Sequence, residues 1–145
     1  PVKKFDDPDA QFGESTSTRD IILARLAETY LIAAEAYLQA GDASTGLQRL
    51  NVVRERAGVG HATLADFDID YILDERGREL LGEYHRWFDL KRTGTLVDRA
   101  SMYHYLVESG NFNGANGELK ILRPIPQEAL DLNQNNDFPQ NPAYQ

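Results

Sequence analysis

The sequence predicts an all-α protein, and three observations carry that prediction. Apolar residues recur at three- and four-residue steps over long stretches. No segment alternates apolar and polar residues over the length of a strand, and glycine or asparagine closes each periodic run. At 145 residues the chain is one domain's worth of sequence. A chain of that size buries roughly two thirds of its unfolded surface, so a true core is feasible.

The elements follow in order. Residues 1–18 read as an irregular lead-in, broken by Pro1, Pro8, Gly13 and the Ser15–Thr18 cluster, and are expected to continue an upstream region. Ser17-Thr18-Arg19-Asp20 has the form of a capping box, so a long helix is expected to follow directly. Leu23, Leu26, Ala27, Tyr30, Leu31, Ala34, Tyr37 and Leu38 give that helix one broad buried face, and Gly41 stops it. Asp42 caps a second helix over 43–57, with Leu47, Leu50, Val53 and Ala57 facing inward and Gly58 opening a loop. A third helix is expected from Ile69 through Leu90, weakened by Gly77 and Gly82, where close contact or a bend is expected. A fourth covers Leu96–Val107. Residues 108–117, rich in Asn and Gly, read as an exposed loop. Ile121–Pro126 is extended, Gln127–Leu132 makes one or two helical turns, and the tail is coil. Residues 19–145 thus form one helical domain.

Charge and composition exclude several functions. Twenty-three acids against fifteen bases leave a net charge of -8, which repels phosphate backbones, so no nucleic-acid partner is expected. Cysteine is absent, which removes disulfides, thiolate metal sites and cysteine nucleophiles. No apolar run approaches the roughly 18 residues of a membrane span. The chain opens on Pro1 without a signal sequence, as expected of a mature or truncated fragment whose anchor would lie upstream.

Within the first two helices, Ala34-x-x-Tyr37-x-x-x-Gly41-Asp42-x-x-x-Gly46-Leu47-x-x-Leu50 has the spacing of a tetratricopeptide hairpin. Small residues at Ala34 and Gly46 let two helices cross closely. One such unit cannot bury both faces, so neighbours must cover it; an ordinary antiparallel helix pair is the alternative.

Chemistry-bearing constellations are few. Leu73–Leu90 is dense in Glu and Arg: Glu75 and Arg78, Glu83 and Arg86, and Asp89 and Arg92 are three apart, and Glu79 and Arg86 seven apart. Paired carboxylates at Glu75, Glu79 or Glu83 could serve general acid–base catalysis. Nearby arginines would instead hold those acids ionised, which favours structural pairing. His61, His85 and His104 lack metal-ligand spacing, and Ser101 and His104 lack a nucleophile elbow. Asp131–Asp137 imitates the start of a calcium loop but fails at Asn136, where glycine belongs, and at Pro142, where glutamate belongs. No metal, cofactor or catalytic residue is therefore expected. One constellation has binding character: Tyr103, Tyr105, Asn111, Phe112, Asn113 and Asn116 combine aromatic faces with amides. Aromatic rings stack on the apolar faces of sugars and amides pair with hydroxyls, so the set suits neutral glycans.

Five motifs together resemble a known family. Arg25–Ala36, Leu50–Gly58, Ile72–Leu80, His85–Arg92, and the closing Leu122–Glu128 with Gln140–Tyr144 are similar to the C-terminal half of SusD/RagB-type proteins. The resemblance implies a helical, tetratricopeptide-like fold and a cell-surface lipoprotein of the outer membrane. It further implies capture of glycans or other nutrients beside a TonB-dependent transporter, with lipid anchoring through a cysteine upstream of this chain. Arg25, Glu35, Glu75, Arg76, Glu79, Arg86, Trp87 and Asp89 fall in the shared motifs and are expected to organise the fold rather than touch ligand. Two positions depart from the pattern: Gly77 stands where relatives often carry a bulkier charged residue, and Tyr84 where they often carry glycine. The expected function is a non-enzymatic glycan or nutrient receptor; the alternative is a protein-interaction scaffold built on the helix hairpin.

Overall fold

In the computed structural model of the chain, residues 3–11, 13, 16–134 and 137–145 are described. Among them are six α-helices and no strand: α1 (Leu26–Gln39), α2 (Ala43–Arg56), α3 (Ile69–Glu79), α4 (Arg86–Arg92), α5 (Leu96–Tyr103) and α6 (Gln127–Asp131). The fold is all-α, as the periodicity predicts. The chain divides into two compact units, Pro1–Glu83 and Tyr84–Gln145.

The first unit is built on the α1–α2 hairpin. Gly41, at φ +83°, makes the turn, and the Asp42 carboxylate accepts the Thr45 N–H at 3.0 Å to cap α2. Gly46 is required where the helices cross, because a Cβ there would lie 2.8 Å from the Ala34 carbonyl oxygen and 2.9 Å from the Phe67 ring. Leu31, Ala34, Leu50, Val53, Phe67, Ile72 and Leu80 form the core beneath. Each large apolar side chain fully buried there contributes roughly 1.5–3 kcal/mol. The loop after α2 is pinned by the Asn51 amide, which donates to the Ala62 carbonyl at 3.1 Å and accepts its N–H at 2.8 Å. Asp68 caps α3 through the Tyr71 N–H at 2.7 Å.

Two helix boundaries differ from the sequence expectation. The first helix starts at Leu26, not after Ser17, and Leu23 lies outside it, exposed. The capping box does not form, because the Ser17 hydroxyl and the Thr18 N–H and hydroxyl all serve the Asp7 carboxylate. The third helix does not run on to Leu90. It ends at Glu79, and Gly82 (φ +78°) and Tyr84 (φ +65°) turn the chain before α4. The Phe5 ring occupies the place of a side chain at Gly82, so only glycine fits. Gly77, by contrast, stays inside α3.

In the second unit Leu90, Leu96 and Phe112 form the core, flanked by Trp87, Val97, Ala100, Val107 and Ile121. The fourth helix ends at Tyr103, short of the expected Val107. The stretch 108–117 is more ordered than a free loop. A 3-10 turn covers Ser109–Phe112, and Asn113 bridges Leu119. The Gly114 N–H donates to the Glu118 carbonyl at 2.9 Å. The closing motifs lace together: the Gln140 amide exchanges two 2.8 Å hydrogen bonds with the Ile125 backbone, and Asn141 donates to the Arg123 carbonyl at 2.6 Å. Of the sequence features read above, Pro1, Ser15 and Asn136 lie outside the described residues.

Candidate functional site

The acidic cluster of the first unit is the nearest approach to a catalytic constellation. Glu83 is 1% exposed at its side chain and pairs with Lys4 and, at 2.9 Å, with Arg25. Arg25 also reaches Glu79 at 2.5 Å, and Arg56 approaches the same carboxylate at 2.5 Å. Glu75 is held between Arg54 at 2.6 Å and Arg78 at 2.9 Å. Burial pushes the Glu83 carboxyl up, but hydrogen bonds and charge from Arg25 and Lys4 outweigh it and hold it below the usual carboxylate range. The Glu83 hydrogen bond chiefly raises Arg25 in turn, against its burial. A carboxylate so held stays ionised and occupied, the opposite of what a general acid needs. Lys4, Arg54 and Arg56 were not legible as partners, since no local spacing links them to α3. The break after Glu79 removes the helical spacing on which pairing of Arg86 with Glu79 or Glu83 relied.

The other shared-motif residues lie in the framework. Arg76 is buried with Glu28 at 3.9 Å, and Glu35 is half-buried on α1. In α4, Arg86 is half-buried and Asp89 is buried with Arg92 at 3.0 Å. Trp87 carries the Arg123 guanidinium 5.1 Å from its ring centroid, a cation–π contact that ties α4 to the first closing motif.

The aromatic and amide residues fall into two groups. Tyr103 ends α5, 60% exposed, with the Arg99 guanidinium 5.7 Å from its ring centroid. Tyr105, 90% exposed, sits in the turn that follows. Phe112 corrects the sequence expectation: it is 9% exposed and packs with Leu90 and Leu96, so it supports the surface from below. The Asn111 amide oxygen accepts the Glu108 N–H at 2.8 Å in a capping box, while Asn113 and Asn116 are exposed. The turn is fixed at both ends, by α5 and by half-buried Val107, whose N–H donates to the His104 carbonyl at 2.9 Å. Its chemistry is that of a rigid, flat, partly apolar surface with hydroxyl and amide groups at hand.

Among the described residues, no group of three or more His, Asp or Glu is placed to hold a metal ion. The Asp131 carboxylate of the calcium-like stretch accepts the Gln127 amide at 2.7 Å across α6. No described helix is long and apolar enough to cross a membrane.

Comparison with known proteins places this scaffold. The SusD family model matches residues 1–144. The chain is 35% identical over 144 residues to "SusD-like protein P2" of Formosa agariphila, covering 91% of this chain and 27% of that protein. It is 36% identical over 121 residues to "SusD-like protein P25" of the same organism, covering 77% and 22%. It is 31% identical over 125 residues to "Starch-binding protein SusD" of Bacteroides thetaiotaomicron, covering 86% and 22%. The chain thus spans about a quarter of the length of these relatives. No solved structure matches it.

Proposed function

The chain belongs to the SusD family, and from that premise we propose that it is part of a non-enzymatic glycan receptor. The receptor faces outward at the outer membrane, is lipid-anchored through a cysteine upstream of this sequence, and delivers its ligand to a TonB-dependent transporter. The observation that carries the binding role is the projection of Tyr103 and Tyr105 into solvent from a turn closed over Phe112 and Val107. A sugar ring stacks its apolar face on the tyrosines, and Asn113 and Asn116 are the amides available for its hydroxyls. The relative named as starch-binding supports a glycan as ligand. The dense ion pairing of Glu75, Glu79 and Glu83 supports a structural rather than catalytic use of those acids.

The test is calorimetric titration of the chain with soluble starch, laminarin, xylan and their oligosaccharides. At least one binds, and Tyr105→Ala weakens it by about tenfold, the equivalent of one stacking contact at the upper end of its range. Failure of every glycan to bind overturns the reading. The scaffold alternative is supported by the apolar side chains that α1 leaves exposed, Leu26, Ile32 and Tyr37. Co-migration with the transporter in the absence of any glycan binding would favour it.

A further inference from the structure

The end of α5 holds a third group that the glycan reading does not use. His104 follows the helix in extended backbone, with φ -109° and ψ 110°. Its carbonyl accepts the Val107 N–H at 2.9 Å, closing a turn over residues 104–107. Its ring Nδ1 accepts the Leu106 N–H at 3.3 Å. The ring also lies parallel to Tyr105, with centroids 5.5 Å apart and planes 8° from each other.

These contacts fix a tautomer. A ring nitrogen that accepts a hydrogen bond carries no proton, so the neutral imidazole keeps its single N–H on Nε2. His104 is exposed, and that donor is therefore offered outward beside the most exposed ring of the platform. We propose that His104 is a binding residue of the Tyr103–Tyr105 surface: its neutral ring steadies Tyr105 and donates Nε2–H to a sugar oxygen, and protonation weakens capture. The proposal rests on the glycan reading above and deepens it to a pH-regulated site. A proton taken from solvent onto Nδ1 sets two N–H groups against each other, at Nδ1 and at Leu106. The side-chain bond of the turn is lost, and the stacked pair loses its support. The charged groups nearest in the chain do not replace that bond. Arg99 of α5 lies against Tyr103, Asp98 is in the first turn of α5, and the Glu108 side chain caps the next 3-10 turn.

The test is titration with the panel oligosaccharides, maltoheptaose first, from pH 8 to pH 5.5, with melting followed by circular dichroism at each pH. Affinity is steady above about pH 7.5 and falls about tenfold by about pH 5.5, the range in which histidine side chains take up protons. His104→Phe keeps a ring for the stack but lacks both nitrogens; it binds a few-fold more weakly at pH 7.5 and loses the pH dependence. His104→Gln, with a donor and an acceptor but no titration in this range, keeps more affinity than the Phe variant and is equally flat. A flat profile in the parent, or an unchanged slope in either variant, overturns the role of His104 while leaving the tyrosine surface standing. Absence of binding by the parent to every oligosaccharide at every pH overturns both.

Discussion

Tyr84 shows how a single residue can work against the fold that contains it. It holds φ +65° with its ring 82% exposed. The left-handed conformation costs an L-residue roughly 1–2 kcal/mol, and so exposed a ring recovers little of that through packing. Glycine adopts the same φ without the Cβ clash, although it loses more chain entropy on folding. Tyr84→Gly should therefore raise stability by about 0.5–1 kcal/mol, read as a higher urea midpoint at unchanged slope. A lower midpoint would mean that the ring makes contacts worth more than the strain. From the sequence, Tyr84 looks like a helix residue because it falls in step with Leu80, Leu81, Trp87 and Phe88. The apolar period reports spacing, and it is blind to one residue's backbone sign. Phe112 misleads in the opposite sense. Its Asn- and Gly-rich neighbours announce exposure, yet Leu90 and Leu96 bury it from elements distant in the chain.

At the scale of elements, local signals succeed where local physics decides. Asp42, Gly41 and Gly58 set the ends of α1 and α2 by capping and by left-handed turns, and those ends stand where the sequence puts them. The start of α1 fails because its would-be caps, Ser17 and Thr18, are taken by Asp7, ten and eleven residues upstream. The crossing of α1 and α2 is a case of the first kind, and it makes a sharp prediction. Gly46→Ala gains up to about 1 kcal/mol of helix propensity. It also drives a methyl group against the Ala34 carbonyl and the buried Phe67 ring. Overpacking of that sort costs roughly 1–3 kcal/mol, so the net effect is a loss of stability. Thermal melting decides the matter: a variant at or above the parent's midpoint would show that the helices part at no cost and that Gly46 does not set their approach.

For the molecule as a whole, the contacts that matter most join residues far apart in sequence, which is why spacing alone could not supply them. Lys4 and Arg25 meet at Glu83, and Arg56 and Arg25 meet at Glu79, so the lead-in, α1, α2 and the end of α3 share one ionic junction. Composition announces the charges, and the tertiary fold alone decides the partners. The junction makes stability depend on acid in a definite direction. Glu83 lies below its ordinary value of 4.5, and Asp7, held by Ser17 and Thr18, is lowered from 3.8 to about 2. Groups depressed in the folded state bind protons more readily once unfolded, so their stabilisation is fully present above the unfolded values. It is lost as pH falls through the folded ones. The urea midpoint should accordingly hold steady from pH 7 to about pH 5.5 and then decline progressively toward pH 2. Glu83→Gln removes one titrating partner from the junction and leaves Arg25 with Glu79 alone. That variant should start lower at pH 7 and decline less steeply below pH 5. An acid limb as steep as the parent's would assign the loss to other carboxylates and strip the junction of its part in acid unfolding.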